Sequence, residues 1–115
     1  MAKENNVLIS KSKQFALSII KLCSSLKNQN SLTSQLLRSG TSIGANIHEA
    51  NYAHGKADFL AKLQIALKEC YETEYWLELF FESKLIGEEY KNIINDCVEI
   101  KKILIASCKT VKEGN

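Results

Sequence analysis

The 115-residue chain carries a formal net charge of +2, with 45% hydrophobic and 24% charged residues, which argues against disorder and indicates one folded domain over residues 1–115. The polar start Met1–Asn6 and the lack of an apolar run of ~20 residues argue against a signal peptide or a membrane span. We therefore expect a cytoplasmic protein with no membrane partner.

The first helix is predicted at about residues 8–27, where apolar residues recur three, four or seven positions apart. These residues are Leu8, Phe15, Ile19, Leu22 and Leu26. A second helix is predicted at about residues 31–54, from Ser31 as N-cap to His54, followed by Gly55 in the left-handed conformation. Gly40 and Gly44 lie inside this helix, which predicts a close approach of a neighbouring backbone.

The third helix is predicted at about residues 58–85, with Asp58 as its N-cap. Its core stripe consists of seven apolar residues: Phe59, Leu63, Ala66, Leu67, Cys70, Leu77 and Phe81. A second apolar face surrounds Glu72 and consists of Ala61, Ile65, Trp76 and Leu79. This helix therefore has more apolar surface than one buried stripe requires.

The fourth helix is predicted at about residues 88–111. Its heptad-like seam consists of Tyr90, Cys97, Leu104 and Val111, filled in by Ile93 and Ile100, and a separate stripe consists of Ile94, Val98 and Ile105. The short connections and the absence of a β pattern predict an all-α, antiparallel up-down-up-down four-helix bundle. Because such a bundle buries one stripe per helix, the extra faces predict either a wide contact between protomers or an extended core, and we expect a homo-oligomer.

A polar row on the second helix flanks its core stripe, as expected at a helix contact. We assign a packing or assembly role to six residues of this row and of the third helix: Arg38, Ser42, Asn46, Glu49, Glu72 and Trp76. Arg38 and Glu72 are expected to form a buried ion pair, whose disruption by Arg38→Ala would cost ~3–5 kcal/mol. Such pairs also occur in active sites, but no cleft or third partner can be inferred for this one.

Catalytic and metal-binding patterns are missing from the sequence. Tyr52 stands where a second histidine would complete H-E-x-x-H after His48, and Gly40–Gly44 lacks the Gly-Lys-Ser/Thr end of a phosphate-binding loop. Four scattered cysteines without a C-x-x-C pair are expected to be small buried side chains. We therefore expect no enzyme activity, no catalytic residue, no metal and no cofactor.

The charge is unevenly distributed, since residues 1–57 carry +5 and residues 58–115 carry −3. This asymmetry suits either head-to-tail contacts or an anionic partner. The candidate contacts to RNA or DNA are Lys11, Lys13, Lys21, Lys27, Arg38 and Lys56. On one protomer the lysines of the first helix spread around its outer arc, as on an ordinary solvated face, but a ring would combine their fields.

A spaced motif identifies a known family. It comprises Gln35-Leu36, Arg38-Ser39, Ser42-Ile43, Asn46-Ile47 and Glu49, followed by Asp58-Phe59, Ala66-Leu67 and Glu72. The chain resembles, over about residues 8–110, the four-helix-bundle family encoded in intervening sequences of bacterial large-subunit rRNA genes. That family is similar to the accessory variability determinant of diversity-generating retroelements, a homopentamer that binds nucleic acid and associates with a reverse transcriptase.

The resemblance thus implies a pentameric, nucleic-acid-binding accessory protein, possible partner of a reverse transcriptase in a retroelement. The rival hypothesis is a structural protein-interaction scaffold, encoded in an rRNA intervening sequence and without a nucleic-acid role. The two hypotheses share the fold and the oligomeric state, and they differ in whether the exposed lysines bind phosphate.

Overall fold

The computed structural model describes residues 2–26 and 30–114. Within these ranges the chain forms four α-helices: α1 (Ala2–Ser25), α2 (Asn30–Ala50), α3 (Lys56–Glu82) and α4 (Lys91–Glu113), with a short 3₁₀ turn at Glu88–Tyr90 before α4. The described residues form no β-strand. The all-α prediction is confirmed, and the helix bounds differ from the predicted ones by up to six residues.

The connection between α2 and α3 shows why the predicted bounds were wrong there. The α-helix ends at Ala50 rather than near His54, because the next amides, from Asn51 on, donate to carbonyls three residues back at 3.0–3.2 Å. Gly55 has a φ of 110°, which L side chains avoid, but it precedes α3 instead of closing α2. The predicted N-cap Asp58 lies in the first turn of α3, where its carboxylate accepts the His54 backbone N–H at 3.1 Å.

The other helix ends also follow local hydrogen bonds. α3 ends at Glu82, three residues before the predicted end, because Lys84 adopts a φ of 65° and the amides of Leu85 and Ile86 both donate to the Phe80 carbonyl. α1 begins at Ala2, six residues before the apolar periodicity does. At the start of α4, the Tyr90 amide donates to the Gly87 carbonyl at 3.1 Å and forms the 3₁₀ turn.

The helices form an antiparallel bundle in which α2 packs against α1 and α3, and α4 packs against α3 and, less extensively, α1. The backbone approach predicted at the two glycines of α2 is confirmed at Gly44, whereas Gly40 faces a side chain of α1. A Cβ atom at Gly40 would lie 3.0 Å from Ile19 of α1, and one at Gly44 would lie 3.3 Å from the Ser12 carbonyl oxygen. The four cysteines are unpaired and buried, as predicted.

The core stripe of α3 differs from the predicted one. Its buried residues are Leu63, Ala66, Cys70, Thr73, Leu77 and Phe80. This set alternates steps of three and four residues, the spacing of a coiled-coil seam. Thr73 belongs to it because its hydroxyl is satisfied by the buried Ser39 hydroxyl of α2 at 2.9 Å and by the Glu69 carbonyl. Three residues predicted in the core are only half-buried: Phe59, Leu67 and Phe81.

Candidate assembly surface and nucleic-acid interface

The six residues predicted to specify packing or assembly lie along one outer edge of the bundle, where α2 meets α3. We call this edge the α2–α3 seam: Arg38, Ser42, Asn46 and Glu49 on α2, and Lys62, Glu69, Glu72 and Trp76 on α3. Ion pairs between α2 and α3 join the two helices at both ends of the seam. The predicted residues therefore do come together in space.

Arg38 lies at one end of the seam and binds two carboxylates of α3. Its guanidinium contacts Glu72, as predicted, and also Glu69, with 3.3 Å between Nη1 and Oε1. The same Glu72 oxygen accepts the Trp76 indole N–H at 3.0 Å. The predicted ion pair is confirmed, but its predicted burial is wrong, because the Arg38 side chain is 49% exposed.

The contacts of this cluster determine its protonation behaviour. The hydrogen bond from Arg38, followed by that from Trp76, lowers the pKa of Glu72. In return, the hydrogen bond to Glu72 raises the pKa of Arg38. Glu69 was missed by the sequence analysis, although its spacing of three residues from Glu72 places both carboxylates on one helix face.

Loss of the guanidinium should therefore have a small effect. We expect Arg38→Ala to lower the free energy of unfolding by about 1 kcal/mol at neutral pH, because half-exposed ion pairs contribute little. Since the folded pKa of Glu72 is lowered, this stabilisation is present above the unfolded pKa and is lost as the pH falls below ~4. Urea unfolding at pH 7 and pH 3 measures both quantities.

Lys102→Ala is the control for Arg38→Ala, since Lys102 is exposed on α4, away from the seam, and has no ion-pair partner within 4 Å among the described residues. Its difference from the wild type should be small at both pH values. A loss of several kcal/mol for Arg38→Ala, or an equal loss at pH 3, would contradict the structure's half-exposed pair.

The remaining seam residues have polar partners within the protomer. Ser42 donates to the Arg38 carbonyl at 2.7 Å, and the Asn46 amide donates to the Ser42 carbonyl at 2.9 Å. At the far end, Glu49 accepts a hydrogen bond from Lys62 at 2.8 Å. These contacts are intramolecular, so a role of the seam in contacts between protomers stays a prediction.

Several large apolar side chains are exposed outside the seam. Of the predicted second faces, Ile65 and Ile105 are exposed, and Trp76, Leu79, Ile94 and Val98 are half-buried. The structure adds residues that the sequence analysis missed: Leu17, Ile20, Leu37, Tyr71 and Tyr75. The three- and four-residue spacing of the first two helices indicates only one apolar stripe on each, and tyrosine is ambiguous between core and surface.

The predicted nucleic-acid contacts are separated by the fold. Lys11 pairs with Glu99 of α4 at 3.2 Å, and Arg38 faces two carboxylates, so both charges are compensated. Lys13, Lys21 and Lys56 are exposed and have no ion-pair partner within 4 Å among the described residues. Lys27 lies outside the described residues. The basic group proposed from the sequence is thus not one continuous surface.

A different basic group forms at one end of the bundle. The antiparallel packing brings the end of α4 to the end of the bundle at which α3 begins. We call this region the basic end; its exposed lysines are Lys56, Lys109 and Lys112, beside the exposed Glu113. The opposite, acidic end carries Glu78, Glu82, Glu88 and Glu89 beside Lys21, Lys84 and Lys91. The α4 lysines were missed because they lie in the acidic half of the sequence.

The arrangement offers little for chemistry. Among the described residues, no three His, Cys, Asp or Glu side chains come together as a group that could hold a metal. His48 packs against Tyr52 with 5.5 Å between ring centroids. None of the helices in the described ranges is long and apolar enough to cross a membrane. The absence of enzyme activity stays a prediction.

Comparisons with known proteins agree with the predicted family. The family model for the 23S rRNA-intervening sequence protein matches residues 4–106. A crystal structure of a protein of unknown function from the S23 ribosomal protein family of Bacteroides thetaiotaomicron has 50% sequence identity and a TM-score of 0.87, covering 93% of this chain and 99% of that chain. No functionally curated protein matches. The chain belongs to the 23S rRNA-intervening sequence protein family.

Proposed function

We propose that this chain is a non-enzymatic protein that assembles into a homopentamer and binds nucleic acid through its basic end. The observation that carries the proposal is the uneven distribution of charge along the bundle, with exposed lysines in excess at one end and exposed glutamates in excess at the other. If protomers lie side by side in a ring, their basic ends form one rim and their fields add. Phosphate groups are the matching ligand.

The proposed assembly is supported by the exposed apolar side chains, which a small bundle does not cover by itself. The number of five comes from the family resemblance. We expect size exclusion with light scattering to give about five times the 12.9 kDa protomer mass at micromolar concentration. A monomer under these conditions would contradict the proposal.

We expect the nucleic-acid binding to be weak and without strong sequence preference. Lysine side chains on long flexible stems contact phosphate as point charges and do not read base edges. Fluorescence anisotropy with a labelled duplex DNA and a labelled RNA hairpin at low salt tests this expectation. The absence of binding by an oligomer shown to be folded would exclude it.

A structural scaffold is the second candidate function. It is favoured by the ion pairs of Lys11 and Arg38, whose charges are compensated within the protomer, which removes two of the six predicted phosphate contacts.

We further propose a reverse transcriptase as the protein partner of the accessory protein, on the family resemblance alone. Co-purification of this chain with a reverse transcriptase encoded beside it tests that partner, and placement of its gene inside an rRNA gene favours the scaffold.

A further inference from the structure

A shallow apolar groove runs along the outer surface between α1 and α2. It has a volume of about 220 Å³, and its lining includes Ile9, Ala16, Thr41, Gly44 and Ala45. The groove is open because the residues between the helix backbones are small. Its lining contains no acidic residue, and Lys13 and His48 lie at its edge. We call it the α1–α2 groove.

The same two helix faces continue with larger apolar residues. Ile20 follows Ala16 by one turn of α1, and Leu37 precedes Thr41 by one turn of α2. Both Ile20 and Leu37 are exposed. The groove and this extension form one long apolar strip, and Lys21 lies next to Ile20 at the extended end of the strip.

The outward face of α3 carries a complementary set of side chains. We call it the α3 ridge: Lys68, Tyr71, Tyr75, Glu78 and Glu82, all exposed and spaced alternately by three and four residues. The two tyrosine residues are 52% and 54% exposed, although neighbouring groups orient their rings. The Lys101 ammonium lies 5.4 Å from the centroid of Tyr71, and Tyr75 packs edge-on against Trp76. Ordered exposed tyrosines are typical of interface centres.

We propose that the α3 ridge of one protomer docks into the α1–α2 groove of a second copy of this chain. This inference rests on the proposed homo-oligomer and names the two surfaces that form it. The tyrosines of the ridge match the small residues of the groove, and Glu78 at the acidic end of the ridge matches Lys21 beside the strip. Lys68 of the ridge lies at about the same position along the bundle as Lys13 of the groove, so charge attraction is confined to the acidic end. Because the two surfaces differ, the contact is heterologous, and its repetition around the proposed pentamer forms the ring.

The positions of the two surfaces along the bundle axis, here called their heights, support side-by-side docking. Two contacts of α2 fix the heights of its neighbours: Gly44 beside Ser12 of α1, and Ser39 beside Thr73 of α3. With a rise of about 1.5 Å per residue, Lys21 of α1 and Glu78 of α3 lie within about one helical turn in height. In a ring whose axis runs along the helices, Lys21 therefore faces Glu78 of the next protomer. Lys21 is then an interface residue and not a phosphate ligand.

Site-specific cross-linking tests the docking directly. Thr41→Cys in the groove and Tyr71→Cys on the ridge lie at similar heights, and the native cysteines are buried, so a short bismaleimide should link only the introduced thiols. We expect covalent dimers when the two single variants are mixed and allowed to exchange subunits, and a ladder up to the ring size for the double variant. Thr41→Cys with Lys102→Cys, on the outer face of α4, is the control and should give no ladder.

Charge exchange provides a second measurement. Lys21→Glu and Glu78→Lys should each weaken assembly about tenfold in light scattering, and the double variant should restore it. Lys102→Glu should leave assembly unchanged. An intact oligomer without the ladder and without charge rescue would overturn the docking while the proposed oligomer stands. A wild-type monomer would overturn both.

Discussion

Replacing Phe80 by alanine is expected to lower the free energy of unfolding by about 3–5 kcal/mol, since truncating a buried aromatic side chain loses its transfer free energy and leaves a cavity. Phe80 is fully buried in the α3 stripe, and its carbonyl accepts the two amides that close the helix. Because a domain of this size is stable by only about 5–15 kcal/mol, the variant loses a large part of its stability.

Phe81→Ala is the matched control, because it makes the same phenylalanine-to-alanine truncation at the next residue of the helix. Phe81 is half-buried, so its truncation should cost roughly half as much or less. Urea unfolding followed by circular dichroism measures both variants. An equal loss of stability for the two variants, or a larger loss for Phe81→Ala, would place Phe81 in the core and contradict the core stripe of α3 described above.

The sequence places Phe81 in the core for a reason that the structure makes clear. After Leu77, steps of three and four residues lead to Phe80 and Phe81 respectively, and both are phenylalanine. The correct step depends on recognising Thr73 as a core residue, which a hydrophobicity pattern does not do. Its hydroxyl is satisfied in the core by the Glu69 carbonyl of its own helix and by the Ser39 hydroxyl of α2. Local and tertiary hydrogen bonds, which a hydrophobicity pattern does not contain, therefore determine the register.

The same distinction applies to the helix bounds and to the candidate site. Apolar periodicity predicts four helices correctly, but the ends depend on backbone conformations such as those of Gly55 and Lys84. The Arg38 ion pair follows from spacing and from the family motif, whereas its exposure depends on what packs outside α2 and α3. The basic end includes Lys112, which only the antiparallel fold brings near Lys56.

Replacement of the basic-end lysines is expected to reduce nucleic-acid binding most strongly. Phosphate contacts release counterions, so the logarithm of the binding constant falls with the logarithm of salt by about 0.9 per duplex phosphate contact. A site with about 6–10 contacts loses about 10³–10⁵ in affinity between 50 and 200 mM salt. The variant Lys56→Gln/Lys109→Gln/Lys112→Gln should therefore bind less tightly and show a flatter salt dependence.

A second triple variant separates local contacts from net charge. Lys84→Gln/Lys91→Gln/Lys102→Gln removes the same number of charges from exposed lysines outside the basic end. If the basic end binds phosphate, this control keeps the wild-type slope and loses only the weaker long-range attraction. Equal slopes for the two triple variants would show that the binding is a diffuse charge effect. The scaffold hypothesis would then be favoured, because no surface of the ring would be specific for nucleic acid.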